Sequence, residues 1–202
     1  MGLSKRSRDS REWLYATFPA IAVIIISGLL VLGGDLAREA LRFDRSGLAD
    51  WQVWRAITGH LVHLGPGHFL LNAAGVTLVA LLVAREFRPI DWVALSIASI
   101  AGISAGLWFF NPEIAWYVGL SGLLHGWLAA GIVGLVTHRR PDGWPLAILL
   151  AGKLAIEQWM GPLPGSAEAS GGPVVVDAHL YGAIAGAGAA LFATRLERRR
   201  GL

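Results

Sequence analysis

The chain has 202 residues, of which 54% are hydrophobic and only 15% are charged, and its formal net charge is +3. A soluble domain of this size carries about a quarter charged residues, so the composition indicates a polytopic membrane protein instead. The absence of cysteine excludes disulfides and thiolate sites, and basic residues at the ends of apolar runs indicate topology determinants, not nucleic-acid contacts.

Apolar runs suited to membrane-crossing helices, which need about 20 residues, recur along the chain. The predicted helices span residues 15–33, 60–84, 92–110, 116–136, 144–160 and 174–196. Residues 35–59 form a loop in which Trp54 and Arg55 indicate a segment at the membrane interface. The Pro- and Gly-rich stretch 161–173 is a second loop. Residues 1–202 are therefore predicted to be one all-α membrane domain of six transmembrane helices.

The distribution of lysine and arginine predicts the orientation of this bundle. The segments before the first helix and at the C-terminus carry four basic residues each. Arg85, Arg88, Arg139 and Arg140 lie in the two loops on the same side of the membrane. The four arginines of the loop 35–59, on the opposite side, are balanced by four acidic residues. Because positive charge accumulates in the cytoplasm, both termini are predicted to be cytoplasmic.

Polar residues recur at one depth in three of the predicted helices. His68, Ser121 and His179 lie about eight, five and five residues into helices that enter from the non-cytoplasmic side, which at 1.5 Å per residue is about 8–12 Å below that surface. Ionisable groups at membrane depth are costly and generally face the bundle interior or a wet cavity. The three residues are therefore predicted to share one site.

A serine and a histidine at one depth can form a nucleophile and its base. Ser121 alone is an ordinary packing residue of membrane helices, but a neighbouring base would activate its hydroxyl. Histidine is the side chain that titrates nearest neutrality. His179 is a better candidate than His125, because His125 lies one turn along the same helix as Ser121 and is poorly aimed at its hydroxyl.

The remaining polar residues at this depth can stabilise an oxyanion. His68 and Asn72 are spaced i, i+4, so both side chains face one way and can donate hydrogen bonds. The backbone N–H of Ser121 adds a third donor. Gly119 allows the backbone and a substrate to approach closely. The combination predicts acyl transfer at a peptide carbonyl.

Several short motifs resemble those of the rhomboid intramembrane serine proteases and occur in the same order over most of the chain. They are Trp54-Arg55, His63 followed by His68-x3-Asn72, Gly119-x-Ser121-Gly122, and Ala178-His179-x2-Gly182-x3-Gly186. Within that family the chain is most similar to the rhombosortase branch. It is small, it has Lys153-x3-Glu157 in its fifth helix, and it has His125 where many rhomboids have a tyrosine.

The resemblance implies a rhomboid-like bundle in a bacterial inner membrane, with its active site opening to the periplasm. It implies a Ser121–His179 dyad without a third acid, and an oxyanion site near His68 and Asn72. The substrates implied are membrane-anchored proteins that are cleaved in a transmembrane segment or in a C-terminal sorting tail. That tail consists of a Gly-Gly motif, a hydrophobic helix and a basic cluster, on secreted or surface proteins. No cofactor, metal or nucleic-acid partner is implied.

Four further residues are possible accessory parts of the site. His125 can stack on His179, or compete with it as a base. His63 can form a structural hydrogen bond or contribute to catalysis. Lys153 and Glu157, spaced i, i+4 within one helix, favour a structural ion pair, and the alternative is recognition or gating of a polar substrate segment.

Other function classes stay open at this point. Histidines at one depth also fit a haem- or quinone-binding membrane protein, although haem ligation gives no reason for a Gly-x-Ser-Gly motif. A catalytically inactive binding protein of the same fold is a further alternative, against which the presence of both Ser121 and His179 argues. No His-Glu-x-x-His motif of a zinc protease is present.

Overall fold

The computed structural model describes the backbone of residues 2–200 and the side chains of residues 13–196. Within that part the chain is mostly helical, with one short antiparallel pair of strands, β1 (Phe43–Asp44) and β2 (Trp116–Tyr117). The helices are α1 (Gly2–Leu32), α2 (Gly34–Leu41), α3 (Arg45–Ala49), α4 (Arg55–Thr58), α5 (Pro66–Val83), α6 (Pro89–Phe110), α7 (Ser121–Thr137), α8 (Gly143–Met160), α9 (Ser166–Ser170) and α10 (Val176–Arg200).

Six of these helices are long, and they overlap the six predicted segments, although α1 begins at Gly2 and not at residue 15. Four contain segments that are long and apolar enough to cross a bilayer, namely Trp13–Leu32, Pro66–Glu86, Pro89–Phe110 and Val176–Leu196. Helix α7 is also apolar but has only 17 residues. Large apolar side chains on the outer faces, such as Leu29, Leu70, Ile97 and Phe192, are more than 60% exposed. The chain is therefore a multi-pass membrane protein.

Two helices begin later than the sequence predicts, for reasons that the local chain explains. Helix α5 begins at Pro66 instead of residue 60, because proline has no N–H to bond to an earlier turn and favours the first helical position. Helix α7 begins at Ser121 instead of residue 116, because Tyr117 pairs with Phe43 across the two strands. The predicted orientation depends mainly on the basic clusters of the two terminal segments, whose side chains lie outside the described ones except for that of Arg195.

The loop between α1 and α5 is folded against the bundle by arginine side chains. Arg55 donates to the carbonyl oxygens of Glu39 (2.8 Å) and Arg42 (3.1 Å). Arg45 reaches the C-terminal end of α6 and donates to four carbonyl oxygens, including that of Leu107 at 2.6 Å. A helix end leaves these carbonyls without intrahelical partners, so the arginine caps α6. The loop thereby holds β1 beside β2, directly before α7.

Helices α7 and α10 pack with their backbones in direct contact. Glycines make the approach possible: a Cβ on Gly122 would lie 2.9 Å from the carbonyl oxygen of Ala178, and Cβ atoms on Gly182 and Gly186 would clash with the backbones of Gly122 and Gly126. Small residues drive close helix packing in lipid, where burial of apolar side chains gives no advantage over contact with lipid tails. This glycine seam fixes the spacing between α7 and α10.

We expect a single methyl group in this seam to destabilise the bundle. Gly186→Ala forces α10 away from Gly126, and overpacking of this kind costs about 1–3 kcal/mol. The matched control is Gly188→Ala, half a turn further along α10, where no atom lies within 4 Å of the added carbon. The control should be neutral or more stable by about 0.5–1 kcal/mol. Thermal unfolding of the two variants in the same detergent measures the difference, and equal melting temperatures would contradict the seam.

Candidate active site

Three helices begin beside one cavity of about 540 Å³. Its lining includes first-turn residues of α5, α7 and α10, namely His68, Ser121 and His179. The remaining wall comes from α8 and α9, which contribute polar and charged side chains, and from the segments before α7 and α10, which are mostly apolar. The structure therefore brings together the residues that the sequence analysis placed at one depth.

Ser121 is presented to the cavity by a constrained turn. Gly119 has φ +120°, a value that side chains rarely allow. Its N–H donates to the carbonyl oxygen of Gly59 (3.1 Å), and its own carbonyl oxygen accepts from the Tyr117 hydroxyl (2.8 Å). Burial raises the pKa of Tyr117 to about 12, so the phenol stays protonated and keeps its donor. These bonds hold the chain immediately before α7.

His179 lies opposite Ser121 across the glycine seam. Its Nε2 is 2.9 Å from Ser121 Oγ, and the residue is only 4% exposed. This distance is within the range at which a histidine can accept a proton from a serine hydroxyl. The two residues come from different helices, so the contact depends on the close approach of α7 and α10.

The second ring nitrogen of His179 contacts a carboxylate that the sequence analysis assigned elsewhere. Glu157 on α8 lies 2.9 Å from His179 Nδ1 through Oε2, and its Oε1 lies 2.6 Å from Lys153 Nζ. The ion pair predicted between Lys153 and Glu157 is present. The contact of Glu157 with His179 was missed. The available signal was a carboxylate held within an apolar helix, since such groups are generally functional in membranes.

His125 contacts both His179 and Ser121. Its ring stacks on that of His179, with centroids 4.2 Å apart and an angle of 13° between the planes. Its Nδ1 lies 2.7 Å from the carbonyl oxygen of Ser121, so that nitrogen carries the hydrogen and donates it. Of the two roles left open for His125, this arrangement favours stacking.

His68 and Asn72 line the cavity from α5. The backbone N–H of Leu64 donates to His68 Nδ1 (3.3 Å), which leaves the hydrogen of the neutral ring on Nε2. That atom is close to Gly119: a Cβ there would lie 3.0 Å from it. Asn72 Nδ2 donates to the carbonyl oxygen of His68 (3.1 Å) and has a second hydrogen to offer. Both side chains can therefore donate into the cavity.

The two histidines that precede α5 are buried away from Ser121. His60 lies 2.9 Å from Ser104 Oγ through Nε2, and burial lowers its pKa to about 4. His63 packs edge-on against His68 and Phe69. Burial, together with the neighbouring charge of His68, lowers the pKa of His63 to about 3. Both rings are therefore neutral at pH 7, and His63 supports His68 by packing.

His125, Glu157 and His179 are the residues of the described part that come nearest to a metal-binding group, with possible ligand atoms within 4.8 Å of one another. Both ring nitrogens of His179 already contact Ser121 and Glu157. Lone pairs of an imidazole lie in the plane of its ring, so the parallel rings of His125 and His179 cannot converge on one ion. The arrangement suits proton transfer better than metal ligation.

Comparison with known proteins matches most of the chain to one family. A model of the Rhomboid domain matches residues 50–196. The chain is 28% identical over 108 residues to a protein of Pseudomonas aeruginosa named as an uncharacterized transporter, covering 54% of this chain and 32% of that protein. It is 24% identical over 220 aligned residues to an uncharacterized protein of Mycobacterium leprae, covering 98% of this chain and 80% of that protein. The chain thus spans about a third of the length of the first relative.

Proposed function

Because the chain belongs to the rhomboid family, a family of intramembrane serine proteases, we propose that it cleaves membrane-anchored proteins with Ser121 as nucleophile and His179 as base. The observation that carries the proposal is the 2.9 Å contact between Ser121 Oγ and His179 Nε2 at the edge of the cavity. A hydroxyl and an imidazole in such contact are the minimum that this kind of nucleophilic catalysis requires.

The steps follow from the contacts at Ser121. His179 Nε2 accepts the hydroxyl proton while Oγ attacks the peptide carbonyl carbon. The resulting oxyanion accepts hydrogen bonds from His68 Nε2–H, from Asn72 and from the backbone N–H of Ser121, which has no intrahelical partner. His179 then returns the proton to the departing amine, and an acyl-enzyme remains. Water, deprotonated by the same imidazole, releases the acid and regenerates Ser121.

In the proposed topology, the chain crosses a bacterial inner membrane six times, and both termini lie in the cytoplasm. In this arrangement α5, α7 and α10 begin on the periplasmic side, so the cavity opens there. Arg85 and Arg139, which lie at the opposite ends of α5 and α7, support it. A cysteine-free chain allows a direct test: single cysteines at the two ends of α7 should differ in labelling by an impermeant maleimide.

The proposed substrates are proteins with a C-terminal tail made of a Gly-Gly motif, a hydrophobic helix and a basic cluster. The resemblance to the rhombosortase branch supports this class, as does the stacked His125. The test is co-expression with a protein that carries such a tail. Loss of the tail with the wild-type chain, and its retention with Ser121→Ala, is expected. Loss of the tail from both would reject the proposal, and a Soret absorption band would favour haem binding instead.

We expect Asn72→Ala to slow cleavage without abolishing it. Removal of one oxyanion donor costs about 10²–10³-fold in rate, and His68 and the backbone N–H remain. The measurement is kcat for cleavage in proteoliposomes, with Thr77→Ala on the outer face of the same helix as the control. Wild-type kcat in Asn72→Ala would exclude Asn72 from the oxyanion site.

A further inference from the structure

We infer that Glu157 is a positioning residue for His179, and that Lys153 holds Glu157 in place for this role. The chain would then use a serine, a histidine and a carboxylate instead of a dyad. The inference deepens the proposed function and rests on it.

The contacts around Glu157 account for both of its carboxylate oxygens. Oε2 lies 2.9 Å from His179 Nδ1, and Oε1 lies 2.6 Å from Lys153 Nζ. The Glu157 side chain is only 4% exposed, and that of His179 is 5% exposed. An ionised carboxylate is costly to bury unless it is paired and hydrogen-bonded, and here each oxygen has a cationic or N–H partner.

The ion pair between Lys153 and Glu157 on α8 does not need His179 as a further partner. Lys153 and Glu157, spaced i, i+4, could neutralise each other without any contact with α10. Instead Glu157 extends from α8 to the imidazole on α10. Asp177, the other acid near His179 in the sequence, is occupied elsewhere, since it accepts from Asn111 Nδ2 at 3.1 Å.

This contact selects the tautomer that the reaction requires. A carboxylate accepts the hydrogen on Nδ1, so the lone pair of the neutral ring lies on Nε2 and faces Ser121. When Nε2 takes the serine proton, the ring becomes an imidazolium and the carboxylate stabilises its charge. The proton stays on the ring and later passes to the leaving amine, so Glu157 remains ionised throughout. His125, stacked on the ring face, limits rotation of the imidazole.

The test uses a fluorophosphonate probe, which needs no knowledge of the natural substrate. Ser121 Oγ attacks the phosphorus, fluoride leaves, and His179 takes the serine proton. Glu157→Gln keeps the size of the side chain and removes its charge. We expect the limiting labelling rate to fall by about 10²–10⁴-fold, with the half-saturating probe concentration within about threefold of wild type, as for other serine enzymes that lose the third group.

The conservative variant gives a readout that a merely structural role would not change. Glu157→Asp keeps a carboxylate on α8, and we expect it to restore part of the labelling rate that Glu157→Gln loses. Glu168→Gln on α9, an exposed glutamate outside the cavity lining, is the matched control.

A double variant separates this role from that of an ordinary buried ion pair. Lys153→Met together with Glu157→Leu removes both charges, a change that is often neutral or stabilising for folding. We expect this variant to melt at or above the wild-type temperature and yet to label as slowly as Glu157→Gln. Labelling at the wild-type rate in the folded double variant would overturn the inference. A rise in the half-saturating probe concentration alone for Glu157→Gln would also overturn it. Absence of labelling in the wild-type chain would instead reject the proposed function.

Discussion

The Ser121→Ala variant is expected to lose measurable cleavage, a fall of about 10⁴–10⁶-fold, while it melts within a few degrees of the wild-type protein. Alanine keeps the first turn of α7 but has no hydroxyl to attack a carbonyl. The substrate-binding contacts and oxyanion donors that remain do not replace a nucleophile. In other serine enzymes, loss of the serine alone lowers kcat about as much as loss of all the catalytic residues. Cleavage of a tailed or transmembrane substrate in proteoliposomes measures the fall.

The matched control is Ser46→Ala, an exposed serine in α3 whose hydroxyl donates only to Asp44 in the described part of the chain. It should cleave at the wild-type rate. Cleavage by Ser121→Ala within tenfold of wild type would mean that Ser121 is a packing residue of the α7–α10 contact, and that another group performs any chemistry at this cavity.

His179→Ala is expected to have an effect of the same order as Ser121→Ala. Without the imidazole, the hydroxyl of Ser121 loses the ring nitrogen that contacts it, because His125 contacts the carbonyl oxygen of Ser121 and not its Oγ. In this variant the serine is present but unactivated, so fluorophosphonate labelling should also be lost. The double variant Ser121→Ala/His179→Ala should be no slower than either single variant, because groups that act as one unit are not additive.

The control for the second experiment is His138→Ala, an exposed histidine at the end of α7 that contacts Glu86. It should leave both labelling and cleavage unchanged. Retention of activity in His179→Ala, with loss in His125→Ala, would assign the base to His125 and exclude His179 from that role.

The sequence predicts the long helices well because each is a continuous apolar segment whose ends carry turn-forming or charged residues. It fails where the deciding contact is not local. The strand pairing of Phe43 with Tyr117 involves only two residues on each side, too few for an alternating pattern to stand out. It nevertheless decides that α7 begins at Ser121, so that Ser121 occupies the first turn.

The candidate site is predicted in the same uneven way. Ser121 and His179 each belong to a recognisable motif, and Gly182 and Gly186 indicate the close packing that brings them together. Glu157 has an obvious partner one turn away in Lys153, and that local pairing conceals its contact with His179. A carboxylate can hold two partners at once, so a complete local explanation does not exclude a distant one.

The meeting of three helix beginnings at one cavity also determines the electric field there. Each α-helix carries a positive potential at its N-terminus, equivalent to about half an elementary charge, and α5, α7 and α10 all direct theirs toward the same space. In the proposed reaction, this field stabilises the oxyanion, but it opposes the positive charge that His179 acquires when it takes the serine proton. A buried carboxylate on α8 offsets that opposition, so the three helix ends and Glu157 act as complementary halves of one charge distribution.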